Sequence, residues 1–262
     1  MNQQHQITFK HICFKYKGNR DLLFHNLDVS LKTGELVGIL GSSGSGKTTL
    51  TEILLEQLKP TCQEFQILED GRSQKPGKNY WSYVPQQNLL RDYLKVKEIF
   101  KVYADGNLKN HPKAERKSLP LEIARDLGLS EFWNKKISEL SGGQKRRVSI
   151  GIELLIDSPY FVLDEPSSGL DALSDRNLLR TLKILAQTAN KAIVVITHNT
   201  ENLAIFDKLI FLSKGLPKFV GTFKDLLKEF QTTDEYEISK YLDLSLAEVY
   251  QEVQTSGRIY RI

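Results

Sequence analysis

The residues best suited to chemistry form a loop that could bind phosphate. Residues 41–48 read GSSGSGKT, with two glycines five positions apart, then a lysine and a hydroxyl residue. Glycine permits backbone conformations in which successive N–H groups converge on phosphate oxygens, and a helix that follows adds partial positive charge. Lys47 would reach the β- and γ-phosphates of a nucleotide, and the Thr48 hydroxyl would ligate Mg²⁺. The alternative is a flexible Gly/Ser loop that matches by chance.

An acidic pair follows a strongly apolar run later in the chain. Residues 160–166 read YFVLDEP, in which four apolar residues predict a buried strand with Asp164 at its carboxyl end. Ligands of open parallel sheets bind at that end, so Asp164 is a candidate ligand for the metal. Pro166 predicts an extended backbone at Glu165, whose carboxylate would act as general base on an attacking water. A solvated acidic turn is the alternative for this run taken alone.

The run LSGGQ at residues 140–144 predicts the start of a helix whose first residues lower its stability. Ser141 suits the N-cap position and Gln144 the third helical position, and together they form a capping box. Gly142 and Gly143 each lower helix stability by about 1 kcal/mol relative to alanine. Both glycines are explained if bare N–H groups and the Ser141 hydroxyl face a phosphate from outside the chain.

The phosphate loop begins a predicted parallel α/β unit. Residues 35–40 form a short apolar strand before the loop, and a helix over 47–58 follows it. Upstream, residues 7–14 and 22–31 predict two strands of an antiparallel layer. Further elements are predicted as strands over 66–68, 81–84, 160–163, 192–197 and 209–212, and as helices over 171–187 and 201–206.

A helical insert interrupts this core. Apolar residues recur at three- and four-residue spacing over 95–103 and 121–127, and the polar stretch 105–118 predicts an exposed connection between them. We therefore divide the single domain into a core of residues 1–86 and 158–230, a helical subdomain of residues 87–157, and a C-terminal helical tail of residues 231–262, amphipathic over 234–253.

Composition restricts the class of protein. Among 262 residues, 40% are hydrophobic and 26% charged, as expected for a globular protein that buries one sizeable core. The net charge of +4 is too small to argue for nucleic-acid binding. No apolar run in the sequence approaches a membrane span, and the N-terminus lacks the apolar region of a secretory signal. Cys13 and Cys62 show neither zinc spacing nor a disulfide framework, which favours a reducing compartment.

Together these runs resemble the ATP-binding-cassette (ABC) family, whose signature is the LSGGQ pentapeptide. The motifs occur in the family's order and approximate spacing from about residue 7 to residue 230. The resemblance implies an α/β fold: a P-loop NTPase (RecA-like) core with an antiparallel β layer and an inserted α-helical subdomain that carries the signature. It also implies ATP binding and ATP hydrolysis with Mg²⁺.

Other positions match further motifs of the family. Tyr16 matches the aromatic residue that stacks on adenine, although Phe14 is a rival and core packing would explain either. Gln86, which follows YVP, matches the glutamine that touches the metal and signals to a membrane partner. His198, directly after a strand, matches the switch histidine at the γ-phosphate. Asp171 ends the run SGLD, which matches the loop through which each subunit of a pair responds to the other. The alternative role of Asp171 is to cap a helix.

The resemblance therefore implies several sets of site residues. ATP would contact Tyr16, Gly41, Ser42, Ser43, Gly44, Ser45, Gly46, Lys47, Thr48, Thr49 and Gln86. Mg²⁺ would be held by Thr48, Gln86 and Asp164, and catalysis would rest on Glu165 and His198. A second subunit would contribute Ser141, Gly142, Gly143 and Gln144 of its signature and Asp171 of its dimer loop.

Cassettes of this family work in pairs. Two of them pack head to tail, so that the phosphate loop of one and the signature of the other enclose each ATP. The resemblance implies an ATP-dependent homodimer or paired cassette that separates after hydrolysis. It further implies a transmembrane permease domain or subunit as partner, and a peripheral location on the cytoplasmic face of a membrane.

Within the family, the chain is most similar to the G-type branch of pigment and multidrug exporters. The similarity lies in residues 140–171 and in GELV at 34–37, and it implies export. Ser167 replaces a threonine common in that branch, and residues 60–64 lack the glycine that relatives commonly place before the next strand. G-type members often fuse the cassette to a membrane domain. We expect either an excised cassette, which the tail favours, or a separate permease.

Two other functions are open at this point. A non-transport ABC ATPase that acts on nucleic acid or ribosomes typically has two cassettes, long coiled-coil insertions or zinc modules, and the sequence shows none of them. A regulatory nucleotide-binding module without turnover is disfavoured because Glu165 and His198 are both present. Lys145, Arg146 and Arg147 are better explained as flanking the signature helix than as binding DNA, so no nucleic-acid partner is expected.

Overall fold

Ten strands and six helices organise the part of the chain that the structure describes. The computed structural model describes residues 5–73, 80–87, 89–156 and 158–229. The strands are β1 (Gln6–Phe14), β2 (Phe24–Lys32), β3 (Leu36–Leu40), β4 (Gln66–Glu69), β5 (Arg72–Ser73), β6 (Trp81–Val84), β7 (Tyr160–Asp164), β8 (Ala192–Thr197), β9 (Lys208–Ser213) and β10 (Leu216–Gly221). The helices are α1 (Lys47–Leu54), α2 (Val96–Asn107), α3 (Lys113–Asp126), α4 (Gly142–Leu154), α5 (Ala172–Thr188) and α6 (Phe223–Glu229). None of these helices has the length and apolar character that crossing a membrane requires.

The strands form two sheets of different type. An antiparallel sheet has the order β2-β1-β4-β5, and a six-stranded sheet has the order β10-β9-β3-β8-β7-β6. In the larger sheet β9, β3, β8, β7 and β6 run parallel, whereas β10 pairs antiparallel with β9 at one edge. Because parallel strands end at the same edge, the loops after β3, β6, β7 and β8 meet there. The predicted α/β class with an antiparallel layer is confirmed.

Both faces of the six-stranded sheet are buried. In β3, Val37 and Ile39 belong to the core shared with the antiparallel sheet and α1, whereas Leu36 and Leu40 belong to the core shared with the other helices. Side chains of a strand alternate between faces, so burial on both sides requires apolar residues at every position. This explains why the central strands are recognisable as uninterrupted apolar runs.

Helices α2, α3 and α4 pack on one another and lie between β6 and β7 in the chain. The exposed connection predicted over 105–118 is wrong at both ends, because α2 continues to Asn107 and α3 begins at Lys113. Pro112 occupies the N-cap position, where its missing N–H costs nothing since the first N–H groups of a helix have no intrahelical partner. Glu115 lies in the first turn and favours the helix start.

Left-handed residues shorten two predicted helices. Helix α1 ends at Leu54 rather than at residue 58, because Glu56 has a φ of 58° that a right-handed helix cannot contain. Over residues 201–206 only the 3-10 turn Leu203–Ile205 forms, after Asn202 with a φ of 62°. Strand β10 and helix α6 were not predicted, and the tail predicted over 231–262 lies outside the described residues.

The expectation that the two cysteines form no disulfide is wrong. The structure joins Cys13, near the end of β1, to Cys62 beyond α1, across a sequence separation of 49 residues and with Cα atoms 5.4 Å apart. Hydrogen bonds between the two segments bring the cysteines together. The N–H of Thr61 donates to the Cys13 carbonyl oxygen at 2.8 Å, and the Thr61 hydroxyl donates to the same oxygen at 3.1 Å. The cysteines therefore give no support for a reducing compartment.

Loss of this disulfide should destabilise the fold. A cross-link between residues 49 apart restricts the unfolded chain. We expect Cys62→Ser to lower the free energy of unfolding by about 2–4 kcal/mol in urea titrations without reductant. Dithiothreitol should lower the free energy of unfolding of the wild type to that of the variant, and it should leave the value for the variant unchanged. Equal stability of the wild type with and without dithiothreitol would contradict the pairing.

Candidate nucleotide site

The carboxyl edge of the parallel strands carries an open cleft of about 700 Å³. Eleven predicted site residues line it: Tyr16, Ser43, Gly44, Gly46, Lys47, Thr48, Thr49, Gln86, Asp164, Glu165 and His198. Gly41, Ser42 and Ser45 belong to the same loop but do not line the cleft. The loops after the parallel strands β3, β6, β7 and β8 are thus brought together, and Tyr16 joins them from the end of β1 in the antiparallel sheet.

The phosphate loop joins β3 directly to α1. Gly46 is the N-cap of α1 with a φ of 102°, a left-handed conformation that favours glycine, and no side chain caps the helix. Gly41 approaches its neighbours closely, since an added Cβ would lie 2.3 Å from the Leu212 carbonyl oxygen. The Lys47 ammonium folds back over the loop and donates to the carbonyl oxygens of Gly41 at 2.5 Å and Ser42 at 2.9 Å. The uncapped N–H groups of α1 are therefore available to an anion.

Opposite charges face each other across this cleft. Burial raises the pKa of the Asp164 carboxyl above its ordinary value, and the Glu165 charge adds to the rise, while the Tyr83 hydroxyl and Lys47 oppose it. The Tyr83 hydroxyl donates to Asp164 Oδ2 at 3.3 Å. Burial lowers the pKa of the Lys47 ammonium, and the Glu165 and Asp164 charges partly restore it. The Lys47 ammonium can therefore pair with phosphate, and the two carboxylates beside it can bind a metal or accept a proton.

The backbone at Glu165 is left-handed, with a φ of 47°, so the predicted extended conformation is wrong. A conformation of this kind costs of order 1–3 kcal/mol and persists only where the surroundings impose it. Here the Glu165 N–H donates to the Ile196 carbonyl oxygen at 2.8 Å, and the Arg146 guanidinium donates to the Asp164 carbonyl oxygen. Contacts from β8 and α4 therefore override the local preference set by Pro166.

Glu165 and His198, both predicted as catalytic, are in direct contact. The Nδ1 of His198 lies 2.8 Å from Glu165 Oε1. The Glu165 side chain is 12% exposed and the His198 side chain 71% exposed. A carboxylate only accepts hydrogen bonds, so the imidazole donates from Nδ1 and presents its other nitrogen elsewhere. The pair can hold a carboxylate at a defined position on the cleft wall.

Tyr16 and Phe14 lie in different environments. Phe14 is buried in the core between the two sheets, whereas Tyr16 is 45% exposed and lines the cleft. The two rings make an edge-to-face contact with centroids 5.0 Å apart. The Tyr16 hydroxyl lies 2.6 Å from the Thr49 hydroxyl of α1. Of the two rivals, only Tyr16 presents a ring to a ligand in the cleft.

The signature residues lie in a second cleft of about 510 Å³. Ser141, Gly142, Gly143 and Asp171 line it, and the two clefts share no lining residue. The predicted capping box is present, because the Gln144 N–H donates to Ser141 Oγ at 3.3 Å and the Ser141 N–H donates to Gln144 Oε1 at 2.9 Å. A Cβ on Gly142 would meet no atom within 4 Å, so this face of the helix start is open.

Asp171 also caps a helix. It is the N-cap of α5, and its carboxylate accepts from the Ser174 N–H at 2.9 Å and from the Ser174 hydroxyl at 2.7 Å. These bonds hold the pKa of the Asp171 carboxyl below its ordinary value. The cap and a contact with a second subunit are compatible, because the carboxylate is on the surface.

A preformed metal cage is absent from the described residues, where no group of three or more His, Cys, Asp or Glu side chains lies together. Mg²⁺ in nucleotide sites usually takes one or two protein oxygens and completes its shell with phosphates and water. Thr48, Gln86 and Asp164 offer hydroxyl, amide and carboxylate oxygens around one cleft, which fits that donor set.

Sequence reasoning missed several residues of the cleft. Its wall also contains Asn19, Asp21, Leu22, Leu23 and Ile196. No motif marks the turn between β1 and β2, and its place beside the phosphate loop results from the packing of the two sheets. Arg146, expected to flank the signature helix, is buried beneath the cleft. Charged residues on both sides, Lys145 and Arg147, left the sequence without a signal that Arg146 is the buried one.

The comparisons with known proteins all indicate the same family. The family model described as ABC transporter matches residues 24–168. ABC transporter G family member 6 of Arabidopsis thaliana is 31% identical over 85% of this chain and 33% of the relative. ABC transporter G family member 12 of Dictyostelium discoideum is 33% identical over 80% of this chain and 34% of the relative. The chain thus spans about a third of the length of the curated relatives it matches.

Solved structures share the fold. The cbiO1 protein of Clostridium perfringens, part of the ABC transporter complex cbiONQ, superposes with a TM-score of 0.77 over 95% of this chain and 98% of that chain, at 22% identity. A dimeric ATP-binding cassette in a post-hydrolysis state, bound to ADP and Pi, gives a TM-score of 0.67 over 82% of this chain and 98% of that chain, at 27% identity. The predicted P-loop NTPase fold is confirmed. The chain belongs to the ABC transporter family, as a nucleotide-binding ATPase domain of its G branch.

Proposed function

We propose that the chain binds MgATP in the first cleft and hydrolyses it as half of a head-to-tail pair, driving export through a membrane partner. The separation of the two clefts carries this proposal. The phosphate loop and the signature share no lining residue, so within one chain an ATP would meet only one of them. Two chains related by a twofold axis can bring the loop of each against the signature of the other.

The first cleft supplies contacts for base, phosphates and metal. The exposed face of Tyr16 would stack on adenine, and Lys47 would exchange its two carbonyl partners for phosphate oxygens. Thr48, Gln86 and Asp164 would hold Mg²⁺, which when bound neutralises charge on the β- and γ-phosphates. The phosphates would lie at the uncapped start of α1, where backbone N–H groups favour anions.

Glu165 would take the proton of the attacking water. Its Oε1 is occupied by His198, which leaves Oε2 without a hydrogen-bond partner among the described residues. The water oxygen forms a bond to the γ-phosphorus, its proton passes to Glu165, and the bond to the bridging oxygen of ADP breaks. His198 orients the carboxylate and would reach the γ-phosphate with its other nitrogen, as the family resemblance implies.

The second cleft would complete the site of a partner chain. Ser141 Oγ and the first N–H groups of α4 would face the γ-phosphate held by the partner's loop, since a helix start favours anions. The open space at Gly142 leaves room for that approach. Asp171 would contact the partner beside the shared nucleotide. The structure of the dimeric relative bound to ADP and Pi supports such pairing.

The membrane partner is inferred from the relatives. They are named as transporters of the G family, and two-thirds of their length lies beyond the part matched here. A permease domain or subunit would then hold this ATPase at the cytoplasmic face of a membrane, with Gln86 between the cleft and that partner. Export is the direction that the similarity to the G branch favours.

Ser141→Arg tests the paired site. The variant should bind MgATP with the affinity of the wild type, because Ser141 does not line the first cleft. It should remain monomeric and lose turnover, because a bulky cation fills the place of the partner's γ-phosphate. Calorimetry measures binding, light scattering with MgATP measures association, and phosphate release measures turnover.

A second variant separates the blocked contact from the lost cap. Ser141→Ala removes the acceptor of the Gln144 N–H, which costs about 0.5–2 kcal/mol of helix stability, but it adds no bulk. It should pair with ATP more weakly than the wild type and retain part of the turnover. Normal turnover in Ser141→Arg would rule out a site completed by the second chain.

A further inference from the structure

A single buried arginine links three parts of the proposed site. Arg146 lies on α4, two residues after Gln144 of the signature, and only 5% of it is exposed. Its Nη1 donates to the carbonyl oxygens of Pro85 and, at 3.4 Å, of Gln86, and its Nη2 donates to the carbonyl oxygen of Asp164. The guanidinium therefore joins the signature helix to the loop after β6 and to the end of β7.

Burial of this charge has an energetic cost that packing alone does not explain. No carboxylate forms an ion pair with Arg146 among the described residues, and its Nε is buried without a partner. A well-packed apolar residue at such a position is often at least as stabilising as a buried charge. What only an arginine supplies here is a set of donors directed at three carbonyl groups.

One of those carbonyl groups, that of Asp164, belongs to the peptide that positions the candidate base Glu165. The peptide between Asp164 and Glu165 is held at both ends, because Arg146 binds its carbonyl oxygen and the Ile196 carbonyl oxygen binds its N–H. Glu165 has a left-handed φ of 47° directly after this peptide. With the carbonyl oxygen released, the peptide can rotate and relieve that conformation, and the carboxylate would leave its place beside His198.

We propose that Arg146 is a positioning residue for ATP hydrolysis, which connects the signature helix to the Asp164–Glu165 peptide and the Gln86 loop. The proposal rests on the proposed function, since it assigns a role at the same site. Arg146 does not line the cleft and touches no substrate. Movement of α4 when the signature meets a partner's nucleotide would be transmitted through the guanidinium to the backbone that carries Glu165 and Gln86.

Substitution of Arg146 should separate hydrolysis from binding. We expect Arg146→Gln to lower kcat by about ten- to one-hundredfold, the effect of losing charge-assisted hydrogen bonds. The KM for ATP, and the Kd measured by calorimetry, should change by less than about threefold, which corresponds to about half the free energy of a tenfold change. Arg146→Lys keeps the charge and part of the donor set, so it should give an intermediate kcat.

Chemical rescue and a matched control exclude a purely structural role. Millimolar methylguanidinium should restore part of the kcat of Arg146→Ala, since it can refill the space beside the three carbonyl groups. Lys208→Met removes another half-buried cation, whose Nζ donates to the Ser30 carbonyl oxygen at 2.8 Å at the amino end of the sheet. This control should lose stability, keep its kcat per folded molecule, and show no response to methylguanidinium.

Specific outcomes would overturn the proposal. The first is that Arg146→Gln and Arg146→Lys have the same kcat per folded molecule as Lys208→Met. The second is that the Arg146 variants lose nucleotide affinity and kcat in parallel. If Arg146→Gln does not fold, Arg146→Lys carries the same comparison. Absence of ATPase activity in the wild type would instead contradict the proposed function, so the two failures are distinguishable.

Discussion

Glu165→Gln should stop hydrolysis while ATP binding continues. Glutamine has the shape of glutamate and keeps an oxygen that can accept from His198 Nδ1, now 2.8 Å from the carboxylate. It cannot accept a proton from water, and loss of a general base typically lowers a rate by about 10²–10⁴-fold. Phosphate release should fall by that factor, whereas the Kd for MgATP measured by calorimetry should be unchanged.

The same variant should accumulate a dimer. Once hydrolysis is blocked, the nucleotide that bridges two chains persists, and ligand binding at the shared site favours the paired state. Light scattering with MgATP should therefore report twice the mass of the chain. Glu201→Gln is a suitable control, because Glu201 is an exposed glutamate in the loop after β8, which also carries His198, and it contacts Asn199 through its backbone N–H only. A monomeric Glu165→Gln protein in MgATP would count against the base assignment.

Lys47→Ala should weaken nucleotide binding itself. Lys47 is the cation of the cleft that faces Asp164 and Glu165, and its removal leaves two carboxylates near the triphosphate. Loss of a hydrogen bond to a charged group typically costs about 1.5–3 kcal/mol, which raises Kd about ten- to one-hundredfold. Repulsion by the remaining carboxylates acts in the same direction. Turnover at low ATP should fall accordingly.

Calorimetry with ATP and Mg²⁺ measures this effect directly. Lys183→Ala is a matched control, because Lys183 is a partly buried lysine of α5 that pairs with Asp207 and lies outside the cleft. The control should bind nucleotide as the wild type does. An unchanged Kd in Lys47→Ala would refute the role of the phosphate loop.

Some features of the fold could be predicted because they depend on residues close together in the chain. The central strands are apolar at every position because both of their faces are buried, and this pattern is visible in residues 160–163 and 192–197 before any folding is considered. The capping box of Ser141 and Gln144 depends on residues three apart, so it too could be predicted and is present. The glycines of the loop at 41–46 match a backbone that needs left-handed and close-approach positions.

Other features could not be predicted because they depend on distant contacts. Nothing near Glu165 indicates a left-handed backbone, which requires Ile196 and Arg146. The bond between Cys13 and Cys62 follows from the pairing of β1 with the segment after α1. The start of α3 at Lys113 was hidden by a polar composition that is typical of both loops and exposed helices.

The α/β class, the ABC family and the short runs that carry the proposed chemistry are predictable from residue types alone, because they depend on residues at close spacing. The grouping of eleven predicted residues in one cleft, and of Ser141, Gly142 and Gly143 in another, is visible only in the folded chain. The same holds for the contacts from two other elements that hold Glu165. Distances between loops depend on how strands pair and sheets pack, and this involves residues far apart in the chain.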